Sequence, residues 1–121
     1  MTFINRNVEE KIERLLRIFP VVALVGARQT GKTVLSKKLR PAWRYVDLEN
    51  PNDFELVSRD PMLYFEHFPS QIIFDEAQNY PKLFEVLRSI IDAKRDLKGR
   101  FILTGSSSPE LLHQFLFRYQ K

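Results

Sequence analysis

Eight consecutive residues, Gly26-Ala27-Arg28-Gln29-Thr30-Gly31-Lys32-Thr33, carry the spacing G-x-x-x-x-G-K-[ST]. The chemistry open to such residues is phosphate binding. Glycines at the two ends let the backbone turn tightly, so that successive N–H groups point inward at a chain of phosphates. Lys32 then reaches the β- and γ-phosphates, and the Thr33 hydroxyl is placed to hold Mg²⁺. All eight residues are candidates for nucleotide contact. A glycine turn that holds Lys-Thr by coincidence would lack the flanks found here. The apolar run Pro20–Val25 precedes the loop, and Val34–Leu39 reads as a helix whose positive end adds to the attraction.

A second stretch, Ile72-Ile73-Phe74-Asp75-Glu76, sets a carboxylate at the end of an apolar strand. Open parallel sheets bind ligands along that edge, which makes Asp75 a candidate for the same Mg²⁺ that Thr33 touches, usually through its water shell. Glu76 is the candidate for polarising an attacking water. A surface Asp-Glu pair is the plainer reading, and the phosphate loop upstream argues against it. In Leu103-Thr104-Gly105-Ser106, small hydroxyl residues end another strand on that edge. Thr104 and Ser106 are either sensors of the γ-phosphate or water, or parts of a turn that leads to a helix capped by Ser108. The remaining polar residues read as structural. Gln78 could reach toward the water, though capping or solvating its loop is the plainer reading; Arg28 has a solvent-facing reading beside its place in the loop, and His67 and His113 lack metal-ligand spacing. Trp43 and Tyr45 read as core or strand-face residues, and Asp47 and Glu49 as turn residues.

The elements that must position these groups follow from periodicity and turn chemistry. Val8, Ile12, Leu15, Leu16 and Phe19 recur at helical spacing, with Asn7 and Glu10 as a capping box, giving a helix over about 8–18. Val21–Val25 reads as a strand apolar on both faces, as a covered parallel strand should be. Arg44–Leu48 is a second strand. The acidic segment 49–70 divides into two short helices, one ending near Ser58 and one over Met62–His67 that starts at Asp60-Pro61. Gln71–Asp75 is a third strand. Pro81 opens a helix with Leu83, Phe84, Leu87, Ile90 and Ile91 on one face, and Gly99 is placed to end it. Phe101–Thr104 is a fourth strand, and Leu111, Leu112, Phe115, Leu116 and Tyr119 form a last helical stripe. Strands alternating with helices predict an α/β fold around a parallel sheet.

Composition narrows the class. The 121 residues fit one domain. No cysteine is present, which rules out a disulfide framework and fits a reducing cytoplasm. No secretory signal and no apolar run of membrane-spanning length is found, so the expectation is a soluble, cytoplasmic chain. The net charge of +4 is spread unevenly, with nine Lys/Arg against three acids over residues 1–40 and two against eight over 41–80. Much of the excess lies beside the phosphate loop, and no clustered basic motif indicates nucleic acid.

Together these stretches resemble the prokaryotic AAA+-type ATP-binding proteins in which an N-terminal ATPase domain precedes a C-terminal domain of nuclease-like fold. The resemblance runs from about Ile4 to Leu112. It includes Phe19-Pro20-Val21-Val22, Tyr45-Val46-Asp47-Leu48-Glu49-Asn50-Pro51, Asp60-Pro61, Asp75-Glu76-Ala77-Gln78 and Leu87-Arg88-Ser89-Ile90-Ile91-Asp92. It also includes Gly99–Ser106. The resemblance implies a P-loop NTPase of three layers, α/β/α, with strand order 1-4-3-2. It further implies ATP and Mg²⁺ as cofactors and a catalytic set of Glu76, Lys32, Thr104 and Ser106. The expectation is that after Leu112 the sequence departs from the family pattern and lacks the family's arginine, fifth strand and helical lid. The expectation is a truncated, incomplete ATPase domain over 1–121 that binds nucleotide with slow or no turnover. An exposed edge at the loop-bearing strand would invite copies of the chain to associate. A nucleotide-operated switch is the alternative from another class. A P-loop kinase fits less well, because Glu76 directly follows Asp75 and a kinase must keep water out.

Overall fold

The computed structural model describes residues 6–26 and 31–105. Its elements are α1 (Arg6–Ile18), β1 (Val21–Val25), α2 (Lys32–Leu39), β2 (Arg44–Asp47), α3 (Pro51–Ser58), α4 (Pro61–His67), β3 (Ile72–Asp75), α5 (Lys82–Ala93) and β4 (Phe101–Gly105). A short 3₁₀ turn, Ala77–Asn79, links β3 to α5. Ala27 to Thr30, Ser106, Ser108 and the last helical stripe lie outside the described residues.

All strand pairs are parallel, and the order is β1-β4-β3-β2, as the family resemblance implies. Alternation along the strands sends side chains to two separate cores. Ile72, Phe74, Phe101 and Leu103 face one side, where Val57, Phe65, Leu83, Leu87 and Ile91 of α3, α4 and α5 cover them. Val22, Ile73 and Ile102 face the other, where Ile12 and Leu16 of α1 and Leu35 of α2 pack. The molecule is thus a three-layer α/β/α sandwich. Each such fully buried aliphatic or aromatic side chain contributes roughly 1.5–3 kcal/mol. Among the described residues no helix is long and apolar enough to cross a membrane.

Local chemistry sets most boundaries. The Asn50 side chain accepts from the backbone N–H of Asn52 at 2.8 Å, and Pro51 occupies the first turn of α3. Asp60 accepts from the N–H of Leu63 at 3.2 Å, and Pro61 opens α4 in the same way. Several expectations are corrected. Asn7 lies inside α1, which starts at Arg6, so it is not the cap. Gln71 has φ 67, a left-handed conformation that no strand residue adopts, and β3 therefore begins at Ile72. Val25 is exposed, so β1 is not covered along its whole length.

The largest correction concerns Gly99. α5 ends at Ala93, capped by the N–H of Lys94, well before the glycine. Gly99 instead adopts φ 57 where the chain passes under α1, and a Cβ there would lie 2.8 Å from the Leu16 carbonyl oxygen. Its N–H donates to the Phe19 carbonyl at 2.9 Å, which aligns β4 beside β1. Arg100 follows, almost fully buried. Its guanidinium donates to the Pro69 and Ile90 carbonyls and to the Ser70 hydroxyl, tying the start of β4 to the α4–β3 connection and to α5. Burial pushes its pKa down from the ordinary arginine value.

Candidate functional site

The carboxyl ends of β1, β3 and β4 meet where the chain leaves β1 for the phosphate loop. Gly26 is pinned there, because its N–H donates to the Gly105 carbonyl at 3.1 Å. Gly31 closes the loop with φ 84 and ψ 16, a left-handed conformation that glycine adopts without the roughly 1–2 kcal/mol that a Cβ would cost. Gly31 offers no side-chain cap to the start of α2. The first N–H groups of a helix carry partial positive charge and suit an anion. Lys32 is buried at 5% exposure, and its ammonium donates across the loop to the Gly26 carbonyl at 3.0 Å.

Asp75 is the centre of the arrangement. The Thr33 hydroxyl donates to both of its carboxylate oxygens at 3.1 Å, across a separation of 42 residues. Thr104 of β4 donates its hydroxyl to Oδ1, and Tyr45 of β2 donates to Oδ2. Sheet register explains the convergence. Asp75 follows Phe74, which pairs with Leu103, so Thr104 stands beside Asp75 on the neighbouring strand. Tyr45 pairs with Ile73, two residues before Asp75 on the same face of the sheet, and its long side chain spans that step. Desolvation first, and then the hydrogen bond and charge of Asp75, push the Tyr45 phenol well above its usual range. It therefore remains a proton donor.

Glu76 follows at φ 55, a left-handed conformation rare for a residue with a side chain and of order 1–3 kcal/mol in cost. Hydrogen bonds of its backbone and side chain hold it there. Its backbone N–H donates to the Thr104 hydroxyl oxygen at 3.0 Å, and its Oε1 accepts from Gln78 Nε2 at 2.8 Å. Thr104 thus ties both acidic residues to β4 through one buried oxygen. The other end of the Gln78 amide, Oε1, is buried without a hydrogen-bond partner among the described residues. A buried acceptor in that condition is suited to a water beside Glu76.

Hydrogen bonds link Thr33, Asp75, Thr104 and Glu76, Lys32 lies beside Thr33 at the start of α2, and Gly26 and Gly31 flank the loop. Ala27, Arg28, Gln29, Thr30 and Ser106 lie outside the described residues. Asp47 and Glu49 take the turn role, since Asp47 Oδ1 accepts from the Glu49 N–H at 2.9 Å. His67 is exposed, and its Nδ1 lies 3.1 Å from the Leu63 carbonyl, within its own helix. Tyr45 is the residue that sequence reasoning missed. Its position in β2, two places before a strand-end carboxylate, was visible in the sequence. The lateral pairing that gives this position meaning was not.

The donor set suits Mg²⁺. A hydroxyl and a carboxylate offer hard oxygen ligands, and one carboxylate is enough where substrate phosphates complete the shell. No group of three or more His, Cys, Asp or Glu suited to hold a metal occurs among the described residues. Thr33 and Asp75 would hold the ion, and the Lys32 ammonium and the uncapped start of α2 would meet the phosphates.

A family model described as an AAA domain matches residues 19–118. An uncharacterized protein of Mycobacterium bovis and one of Mycobacterium tuberculosis are each 40% identical over 111 residues. That match covers 89% of this chain and 24% of each relative, so the chain spans about a quarter of their length. Among solved structures, a Walker-type ATPase of Pyrococcus abyssi superposes with a TM-score of 0.62 at 19% identity, over 95% of this chain and 48% of that one. The likeness in fold agrees with the parallel sheet and its strand order. The chain belongs to the AAA domain family, and its fold is that of a P-loop nucleotide-binding ATPase domain.

Proposed function

We propose that this domain binds ATP with Mg²⁺ between the phosphate loop and the end of β3, and that Glu76 activates water for slow hydrolysis. The observation that carries the reading is the Thr33 hydroxyl resting on the Asp75 carboxylate. Two motifs distant in sequence converge on one point with the ligand chemistry of a metal–phosphate site. Mg²⁺, when bound, neutralises phosphate charge and draws the phosphates into one geometry. Lys32 supplies a buried positive charge at the loop, and the N–H groups at the start of α2 receive phosphate oxygens. Asp75 orients the hydroxyls and waters around it. Glu76 takes a proton from water at its carboxylate. That carboxylate is buried, and the hydrogen bond from Gln78 fixes its direction.

The test is titration of a fluorescent ATP analogue in Mg²⁺, followed by turnover. Lys32→Ala should weaken binding at least tenfold, while Glu76→Gln should keep the affinity and lose the rate. Equal affinity for wild type and Lys32→Ala would refute the site. Equal, very slow hydrolysis by wild type and Glu76→Gln would instead favour a nucleotide-operated switch. The linked hydroxyls of β2, β4 and α2 on Asp75 support that second reading, because through that one carboxylate they would couple a bound metal to three elements.

A further inference from the structure

The carboxylate of Asp75 is gripped from both sides within the sheet. β4 supplies Thr104 to Oδ1, and β2, on the other flank of β3, supplies Tyr45 to Oδ2. Thr33 approaches from α2 and reaches both oxygens. The three hydroxyls have different duties. Thr33 faces the metal position, and Thr104 also holds the Glu76 N–H. The Tyr45 hydroxyl has Asp75 as its hydrogen-bond partner.

The Tyr45 ring is half-buried against the cluster of Val22, Leu35 and Ile73, and the Lys37 ammonium lies 3.9 Å from its centre. A phenol held in this way by its ring delivers its O–H to a fixed point in space. A carboxylate with one fixed donor on each oxygen cannot rotate freely about its last torsion. Its remaining lone pairs then face Thr33 and the water shell of a metal. Without the Tyr45 donor, Oδ2 is steered among the described residues only by Thr33, the group that a bound metal would engage.

We propose that Tyr45 is a positioning residue for Asp75, and that through it the edge strand β2 sets how tightly Mg²⁺ is held in the nucleotide complex. This rests on the Mg²⁺–ATP reading above. Groups that orient a metal-binding side chain typically change metal affinity about tenfold to a hundredfold when removed.

The experiment measures binding of a fluorescent ATP analogue to wild type, Tyr45→Phe and Lys37→Ala, in EDTA and across a Mg²⁺ titration. Tyr45→Phe keeps the ring and its packing, and a cooperative melt checks that the fold is intact. The expected result is EDTA affinity within about twofold of wild type, with the Mg²⁺ midpoint raised about tenfold or more. Lys37→Ala leaves the hydroxyl in place and should keep the wild-type midpoint. A Tyr45→Phe midpoint within twofold of wild type overturns the proposal, as does an equal loss of affinity with and without Mg²⁺, which would mark a merely structural role. Wild type that binds the analogue tightly and gains from Mg²⁺ keeps the parent reading standing in either case. Wild type that fails to bind, or gains nothing from Mg²⁺, overturns both.

Discussion

Replacing Thr104 by valine isolates the buried oxygen that joins the two acidic residues. The two side chains have nearly the same volume, so no cavity is created and the hydroxyl alone is lost. Thr104 is fully buried. With valine, the Glu76 N–H loses the oxygen it meets at 3.0 Å, and Asp75 loses the donor to Oδ1. A buried N–H left without a partner costs about 1–3 kcal/mol, and a hydrogen bond to a charged group is worth about 1.5–3 kcal/mol. Asp75 keeps Tyr45 and Thr33, which softens the second loss. The net cost is therefore about 2–4 kcal/mol. For a chain of 121 residues, unfolding entropy near the midpoint is roughly 0.25 kcal/mol per degree. Tm should fall by about 8–16 °C, read by circular dichroism at constant scan rate with a urea titration alongside. A valine variant that melts within about 2 °C of wild type would show that Thr104 bears no such double duty, and the account of how Glu76 is held at φ 55 would fall with it.

Gly99→Ala should destabilise by about 1–3 kcal/mol, because φ 57 disfavours a side chain and the new Cβ would press on the Leu16 carbonyl oxygen at 2.8 Å. The urea midpoint checks it, and an unchanged midpoint would contradict the geometry. The pair of Arg40 and Glu13 predicts a small pH dependence. Two guanidinium donors at 2.7 and 3.1 Å hold the Glu13 carboxyl below its ordinary value of about 4.5. A lowered folded pKa contributes stability that is present above the unfolded value and lost as pH falls through the folded one. Both side chains remain partly exposed, so the contribution is a few tenths of a kcal/mol. Glu13→Gln should lower stability slightly at pH 7 and match wild type in strong acid. A gap that persists undiminished in acid would count against the ion pair as its source.

The one-dimensional chain showed the order and type of the helices and strands, and the spacing of the phosphate-loop motif. Asn50-Pro51 and Asp60-Pro61 start helices by contacts that span three residues, and the spacing Gly26 to Thr33 is a property of contiguous backbone. Strand character at Val21, Ile72 and Phe101 follows from short apolar runs that must be covered on both faces. Interactions of this range are complete within a few residues, and so they could be read directly. Gly99 shows the limit. A glycine after a helix suggests a C-cap, but its left-handed φ serves a close pass beneath α1 from far earlier in the chain.

Tertiary structure decided which sheet hydroxyls surround Asp75 beside Thr33. Tyr45 and Thr104 are 30 and 29 residues away from it, on opposite neighbouring strands. A shift of one residue in either pairing would turn those hydroxyls to the other face of the sheet. Register is fixed by the joint burial of both cores and not by any local pattern. Periodicity thus marked Tyr45 as one more strand residue, and sheet register set its hydroxyl on the carboxylate at the centre of the site.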